Sequence, residues 1–256
     1  MTSLAGAHVL VTGGSEGIGL ETARLLLEKG SRVSLLSRSA DKLAAARASL
    51  GDVTTASADV TDEPALRAAV EALGPVDVLV AAAGGAEPQH FLDLTPDALR
   101  RQMDLNYFGA LNAVRAVLPG MLAAGRGHVV LVSSAAALCG VFGYGGYGPA
   151  KAALRNLAEV LEAEHPAVRV AVAYPPDTLT PGFERENLTK PRETAAVSAM
   201  VKPLPPERVA RSIVTGIERN RRTITADAST ALLARGTSVV APGVRAVMRR
   251  TVRRLG

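Results

Sequence analysis

The stretch His8-Val9-Leu10-Val11-Thr12-Gly13-Gly14-Ser15-Glu16-Gly17-Ile18-Gly19 passes from an apolar strand pattern straight into a glycine-rich turn. A helical pattern follows at once, over Gly17–Lys29. A turn of this kind lets backbone N–H groups approach a phosphate closely, and the positive end of the following helix favours negative charge. Gly13, Gly17 and Gly19 supply the close approach, with Ser15, Glu16 and Ile18 between them. The stretch therefore points to a dinucleotide held across the end of a strand.

Working outward, further strand patterns fall at Arg32–Ser37, Val53–Ser57, Val76–Ala81, His128–Ser133 and Val168–Tyr174, with a last short one near Thr223–Thr225. Helical patterns fill the intervals at Ala40–Leu50, Glu63–Leu73, Pro96–Ala124, Pro149–Glu164 and Pro206–Asn220. Strands alternating with helices give an α/β fold, a single Rossmann-type doubly wound domain with a mainly parallel sheet and helices on both faces. In such sheets ligands sit beyond the carboxyl ends of the strands. The glycine turn, Ala83-Gly84, Ser134 and Pro175 all follow strands and are expected to converge on one crevice.

Tyr147 and Lys151 stand four residues apart, on one face of a helix, and Ser134 lies thirteen residues before the tyrosine. A lysine ammonium beside a phenol favours the phenolate, lowering a pKa that starts at about 10. That pairing suits proton transfer in carbonyl and alcohol chemistry near neutral pH. Tyr144 is seven residues from Lys151 and off this spacing, and Ser133 has the wrong offset from Tyr147. In the second strand no acidic residue stands where one would hold a ribose 2′-hydroxyl; Leu35-Leu36-Ser37-Arg38-Ser39 offers Arg38 instead. A guanidinium with Ser15 and Ser37 nearby suits a 2′-phosphate, which points to NADPH rather than NADH.

Composition narrows the class. The chain has 256 residues, 48% hydrophobic, without tryptophan, enough for a sizeable aliphatic core. One cysteine, Cys139, excludes an intrachain disulfide and a multi-cysteine metal site, is read as a packing residue, and is consistent with a reducing cytoplasm. The start reads directly as a strand, not as a signal peptide, and no 18-residue apolar run occurs. The net charge of +5 is concentrated at one end: residues 228–256 carry six arginines and no acid. With no nucleic-acid-binding motif beside it, the charge does not mark a nucleic-acid surface. The chain divides into 1–227, an NADP-binding catalytic domain, and 228–256, a basic extension. In that extension Val244, Val247, Met248, Thr251 or Val252, and Leu255 follow a helical spacing between arginines. A basic amphipathic helix over 242–256 suits peripheral contact with an anionic membrane surface at its inner, cytoplasmic face. Packing on the domain or on another subunit is the competing reading.

From about Leu4 to Ile224 the chain resembles the short-chain dehydrogenase/reductase family. The residues that carry the resemblance are Thr12-Gly13-x-x-x-Gly17-x-Gly19, Asp59-Val60, Ala83-Gly84, Asn106, Val132-Ser133-Ser134, Tyr147-x-x-x-Lys151 and Pro175-x-x-x-x-Thr180. It implies that Ser134 hydrogen-bonds the reacting oxygen, Tyr147 donates a proton, Lys151 holds the ribose hydroxyls, and Asn106 supports a water-mediated relay. It also implies that Asp59 and Val60 lie by the adenine, that Pro175, Thr178 and Thr180 join the cofactor site, and that the chain forms a homodimer or homotetramer. One departure is Ala81-Ala82-Ala83-Gly84 where the family has Asn-Asn-Ala-Gly, which leads us to expect altered stability or cofactor positioning. The segment Val172–Thr194, with Pro175-Pro176 in place of Pro-Gly, and Gly140–Tyr144 resemble the family's 3-ketodihydrosphingosine reductase branch. That resemblance implies NADPH-dependent reduction of a long-chain lipid ketone. A fatty-acyl or polyketide β-ketoreductase and a non-catalytic NADP-binding sensor are the alternative readings.

Overall fold

In the computed structural model, which describes residues 1–254, the expected strands form as β1 (His8–Thr12), β2 (Arg32–Ser37), β3 (Thr54–Ser57), β4 (Val78–Ala81), β5 (Gly127–Val132), β6 (Val168–Ala173) and β7 (Thr223–Ile224). Their helices are α1 (Gly17–Glu28), α2 (Ala40–Leu50), α3 (Glu63–Leu73), α4 (Pro96–Met103), α5 (Gly109–Ala123) and α6 (Tyr147–Glu164). Then come α7 (Pro181–Asn187), α8 (Arg192–Ser198), α9 (Pro206–Glu218), α10 (Ala228–Arg235) and α11 (Thr237–Arg253). All strand pairs are parallel, in the order β3-β2-β1-β4-β5-β6-β7.

The sheet is covered on both faces, which is why its central strands β1, β4 and β5 read as largely apolar runs. Every residue of β1 and β4 is buried. Successive side chains point to opposite faces. Leu10, Leu79 and Leu131 join Leu66, Val114 and Leu154 from α3, α5 and α6 in one core. Val9, Val80 and Val130 join Leu26, Leu43 and Ile213 from α1, α2 and α9 in the other.

The helix expected over Pro96–Ala124 is broken. Asp104–Phe108 form a π-helical turn between α4 and α5. The cause is Asn106, which is fully buried. Its amide donates to Gln102 O, four residues back, at 2.9 Å and to Gly85 O at 2.8 Å, and its Oδ1 accepts from Gly85 N at 3.1 Å. A side chain that bonds a carbonyl four residues back competes with the helix ladder, and a widened turn accommodates that competition.

The end of the chain also differs from a free amphipathic tail. α11 packs against α8 and α10. Ala241 and Met248 are buried, and the Thr251 hydroxyl lies 3.7 Å from the sulfur of Met200. Part of the apolar stripe is therefore spent inside the molecule. Val247 remains 46% exposed, and Leu255 lies outside the described residues. Among the described residues no helix is long and apolar enough to cross a membrane.

Asn106→Ala removes three hydrogen bonds and leaves the Gly85 N–H and C=O without their partner. Urea unfolding is expected to show a loss of about 2–4 kcal/mol; an unchanged midpoint and slope would show that this asparagine does not hold the turn.

Candidate active site

The strand order reverses between β1 and β4, so the loops leaving their carboxyl ends separate and open a crevice. A cavity of about 1010 Å³ lies there. Every residue expected at the cofactor lines it except Asp59 and Asn106. Asp59 stands beside its rim, 3.6 Å from Arg38 Nη1. Asn106 is buried behind its wall, holding Gly85.

The glycine turn is built for close approach. Gly13 has φ +66°, and a Cβ there would stand 2.8 Å from the Ala83 backbone. That strained, crowded position admits only glycine. The first turn of α1 has no side-chain cap and no acidic residue, whereas Ser39, Asp62 and Asp227 cap α2, α3 and α10. Its N–H groups are thus left for a ligand in the cavity. The Glu16 carboxylate is turned to Lys42, 2.6 Å away, and to Arg185 of α7. At the end of β2, Ser15 donates to Ser37 at 2.9 Å and the Arg38 side chain is 69% exposed. These groups fit a dinucleotide carrying a 2′-phosphate. Where the family's Asn pair is replaced by Ala81-Ala82, Thr12 braces the turn: its carbonyl accepts from Ala82 N at 3.2 Å and its hydroxyl accepts from Ala83 N at 3.3 Å.

At the end of β5 the two adjacent serines part company. Ser133 Oγ is buried and donates to Lys151 O at 2.7 Å. Ser134 faces the cavity, and its Oγ accepts from Ala136 N at 3.1 Å, which leaves its own proton free to donate. Tyr147 opens α6, two residues earlier than the pattern suggests, and Lys151 follows one turn later. The Lys151 ammonium is 4% exposed and donates to Val132 O at 2.8 Å. No carboxylate among the described residues pairs with it, and burial pushes its pKa down to about 8. A Cβ on Gly84 would lie 2.8 Å from Lys151 Nζ and 2.7 Å from Asn106 Oδ1, so these three positions meet at one point.

The expected lowering of the Tyr147 pKa is reversed. Burial raises it, the Ser134 hydroxyl pulls it down, and the Glu186 and Asp177 carboxylates raise it further. The Lys151 ammonium stands 5.9 Å from the tyrosine ring centre and donates to the Val132 carbonyl; burial and the two carboxylates outweigh any lowering. The phenol is therefore protonated at neutral pH, the state required of a proton donor.

Several wall residues escape sequence reasoning. Tyr144, set aside on spacing, is buried with its ring centre 5.6 Å from that of Tyr147, and its hydroxyl donates to Glu186 on α7. Glu186 also pairs with Lys190 at 2.8 Å. Away from the glycine turn the cavity becomes apolar, walled by Val197, Met200, Leu233, Val240, Val244 and Met248 of α8, α10 and α11 and the loop after α8. No spacing rule connects those helices to Tyr147. Cys139 is half-buried on the wall, and burial pushes its thiol up, in keeping with packing rather than attack. Among the described residues no cluster suits a metal ion.

Residues 7–191 match the family model described as short chain dehydrogenase. The chain is 38% identical to a 3-ketodihydrosphingosine reductase of Dictyostelium discoideum, over 94% of this chain and 79% of the relative. It is 44% identical to a 3-ketodihydrosphingosine reductase of Bos taurus, over 83% of this chain and 68% of the relative. A solved short chain dehydrogenase/reductase family protein superposes with a TM-score of 0.77 at 30% identity, covering 88% of this chain and 98% of that one. The chain belongs to the short-chain dehydrogenase/reductase family, oxidoreductases that interconvert ketones and alcohols.

The buried lysine gives a test that separates stability from turnover. An ammonium held at about 8 rather than near 10.5 costs the fold on the order of 3 kcal/mol at neutral pH. The cost applies in full below about pH 8 and fades as pH rises toward 10.5, where the unfolded lysine also loses its proton. Lys151→Met is expected to melt at or above the parent temperature at pH 7, with the gap narrowing above pH 8, while turnover collapses. A variant that melts well below the parent at pH 7 would show that the Val132 bond outweighs burial.

Proposed function

We propose that this chain reduces 3-ketosphinganine to sphinganine with NADPH. The observation that carries the reading is the lining of one cavity, in which Ser134, Tyr147 and Lys151 share walls with an apolar region formed by α8, α10 and α11. The names of the relatives from Dictyostelium discoideum and Bos taurus agree with a lipid ketone as substrate.

NADPH, when bound, supplies the hydride to the carbonyl carbon. Ser134 donates a hydrogen bond to the carbonyl oxygen, and Tyr147 gives that oxygen its proton, so that C=O becomes CH–OH. Lys151 binds the ribose hydroxyls and lies behind the phenol. Asn106 acts from behind the wall, fixing Gly85 and, through it, the turn beside Gly84. Arg38, with Ser15 and Ser37, receives the 2′-phosphate, and the uncapped α1 turn receives the pyrophosphate. Asp59 and Val60 border the adenine, and Pro175, Thr178 and Thr180 close over the nicotinamide end.

Two further assignments rest on the surface. Met200, Val201 and Leu232 line the cavity yet are each roughly half exposed, and the exposed arginines 245, 249, 250 and 253 of α11 stand on the neighbouring helix. An apolar mouth beside a basic face suits peripheral contact with an anionic bilayer from which a lipid ketone is drawn. Leu122 of α5 and Val160 of α6 are exposed apolar residues on two central helices, which suits a homodimer or homotetramer built across them.

The direct test is oxidation of NADPH by the purified chain with 3-ketosphinganine beside β-ketoacyl thioesters, with product identified. Preference for the thioesters would make the chain a β-ketoreductase, and cofactor binding without turnover of either ketone would make it a sensor. Tyr147→Phe is expected to lower turnover of 3-ketosphinganine about 10²–10⁴-fold with NADPH binding retained; parent-like turnover would remove the proton-donor role. Arg38→Ala is expected to weaken NADPH roughly tenfold to hundredfold and NADH little, because only NADPH carries the 2′-phosphate. Equal losses for the two cofactors would exclude Arg38 from the phosphate site.

A further inference from the structure

The charges lining the cavity are nearly all spoken for. Glu16 is matched by Lys42 and Arg185, Arg101 by Glu87, Arg38 by Asp59, and Glu186 by Lys190. Two remain without an opposite charge among the described residues. One is the Lys151 ammonium, already given its role. The other is the Asp177 carboxylate, half-buried on the cavity wall.

Asp177 is held close to the reacting groups. Its segment leaves β6, and the Pro175 carbonyl accepts from Ala135 N, next to Ser134, at 2.8 Å. The following turn is fixed by Thr178 Oγ1 donating to Pro176 O at 2.7 Å and by Asp177 O accepting from Leu204 N at 2.9 Å. The side-chain carboxylate takes part in none of these bonds. With Glu186, it is one of the two anions whose field reaches the Tyr147 phenol. Glu186 is already spent on Tyr144 and Lys190, which leaves Asp177 to face a ligand.

We propose that Asp177 is a specificity residue that binds the ammonium group of an α-amino ketone while Ser134 and Tyr147 hold the neighbouring carbonyl oxygen. The assignment rests on the reading of this chain as a 3-ketosphinganine reductase. In that substrate the amine sits on the carbon next to the ketone, between the polar head and the alkyl chain. An ammonium drawn into a largely apolar cavity needs an opposite charge there. Asp177 supplies it on the wall of the cavity that Tyr147 also lines, and the alkyl chain then lies against the apolar residues of α8, α10 and α11. A β-ketoacyl thioester has no cation to offer, so its entry leaves the carboxylate unmatched and desolvated. The same residue thus favours one ketone and disfavours the other.

The experiment compares 3-ketosphinganine with a 1-hydroxy-3-ketone of equal chain length that lacks the amine. The parent enzyme is expected to prefer the amine by kcat/KM, and Asp177→Asn to erase the preference, with a loss of roughly tenfold to hundredfold on the amine substrate and no loss, or a gain, on the amine-free ketone. Asp177→Glu, which keeps the charge, is expected to recover part of it. NADPH binding and melting temperature, measured on each variant, are expected to stay at parent values, since the backbone bonds of Asp177 do not involve its side chain. If Asp177→Asn slows both ketones equally, or neither, the ammonium contact is wrong while the lipid-ketone reading stands. If the parent reduces both ketones equally well, the contact is wrong again. If the parent reduces neither, both readings fall together.

Discussion

A primary ammonium buried in the wall between β5 and α6 must find donors' partners or lose its proton, and the rest of the site is arranged around that demand. Lys151 is fixed at both ends, its carbonyl by Ser133 and its Nζ by the carbonyl of Val132. One carbonyl satisfies one of three N–H bonds. The remaining donors point toward the place where Gly84 has no side chain and Asn106 presents an oxygen. A lysine so placed is expensive for the fold and ready for a hydroxyl-bearing ligand. The neighbouring serine, the glycine and the asparagine are each explained by the same need to fix the ammonium and keep that space open.

The electrostatics favour one protonation state of the phenol. Burial, together with the two carboxylates beyond Tyr144 and Tyr147, keeps the phenol protonated. A protonated tyrosine can give its proton to an oxygen that is gaining electrons. The polar end of the cavity is thus tuned by burial and by anions on α7 and on the loop after β6. The apolar end is tuned by shape, through helices α8, α10 and α11 that contribute no charged group to its inner wall.

Much of this was legible in the residues themselves. Glycines at 13, 17 and 19 after an apolar run suit a phosphate turn, a tyrosine and lysine at helical spacing after a serine suit proton transfer, and it is their joint order that points to one site. The central parallel strands, covered on both faces, announce themselves as largely apolar runs. What stayed hidden depends on contacts distant in sequence. Tyr144 has the wrong spacing to Lys151, yet it is joined to the site through Glu186, 42 residues later. Asp177 reads as one more acid in a proline-rich loop until the pairing of the other acids on the cavity wall, Glu16, Glu87 and Glu186, isolates it. The apolar stripe of α11 reads equally as a membrane face or a packing face, since periodicity fixes which residues share a side and not what that side meets. The fall of a phenol pKa beside a lysine is sound chemistry that burial and the Glu186 and Asp177 carboxylates outweigh here.

The π turn at Asp104–Phe108 works like a dislocation in a crystal row. A wide turn holds about one residue more than an α turn, so every side chain after it is rotated by about 100° relative to an unbroken helix. α4 and α5 therefore follow two separate phases along one continuous rod. α4 buries Ala98 and Gln102, while α5 aims Val114, Val117 and Met121 into the sheet. The defect is held by a single amide, and its phase is counted in residues rather than in chemistry. Chain length between Met103 and Gly109 is thus as strictly determined as the identity of any catalytic group. Gaining or losing one residue there would turn the apolar face of α5 away from β4 and β5, even with every side chain of the active site intact.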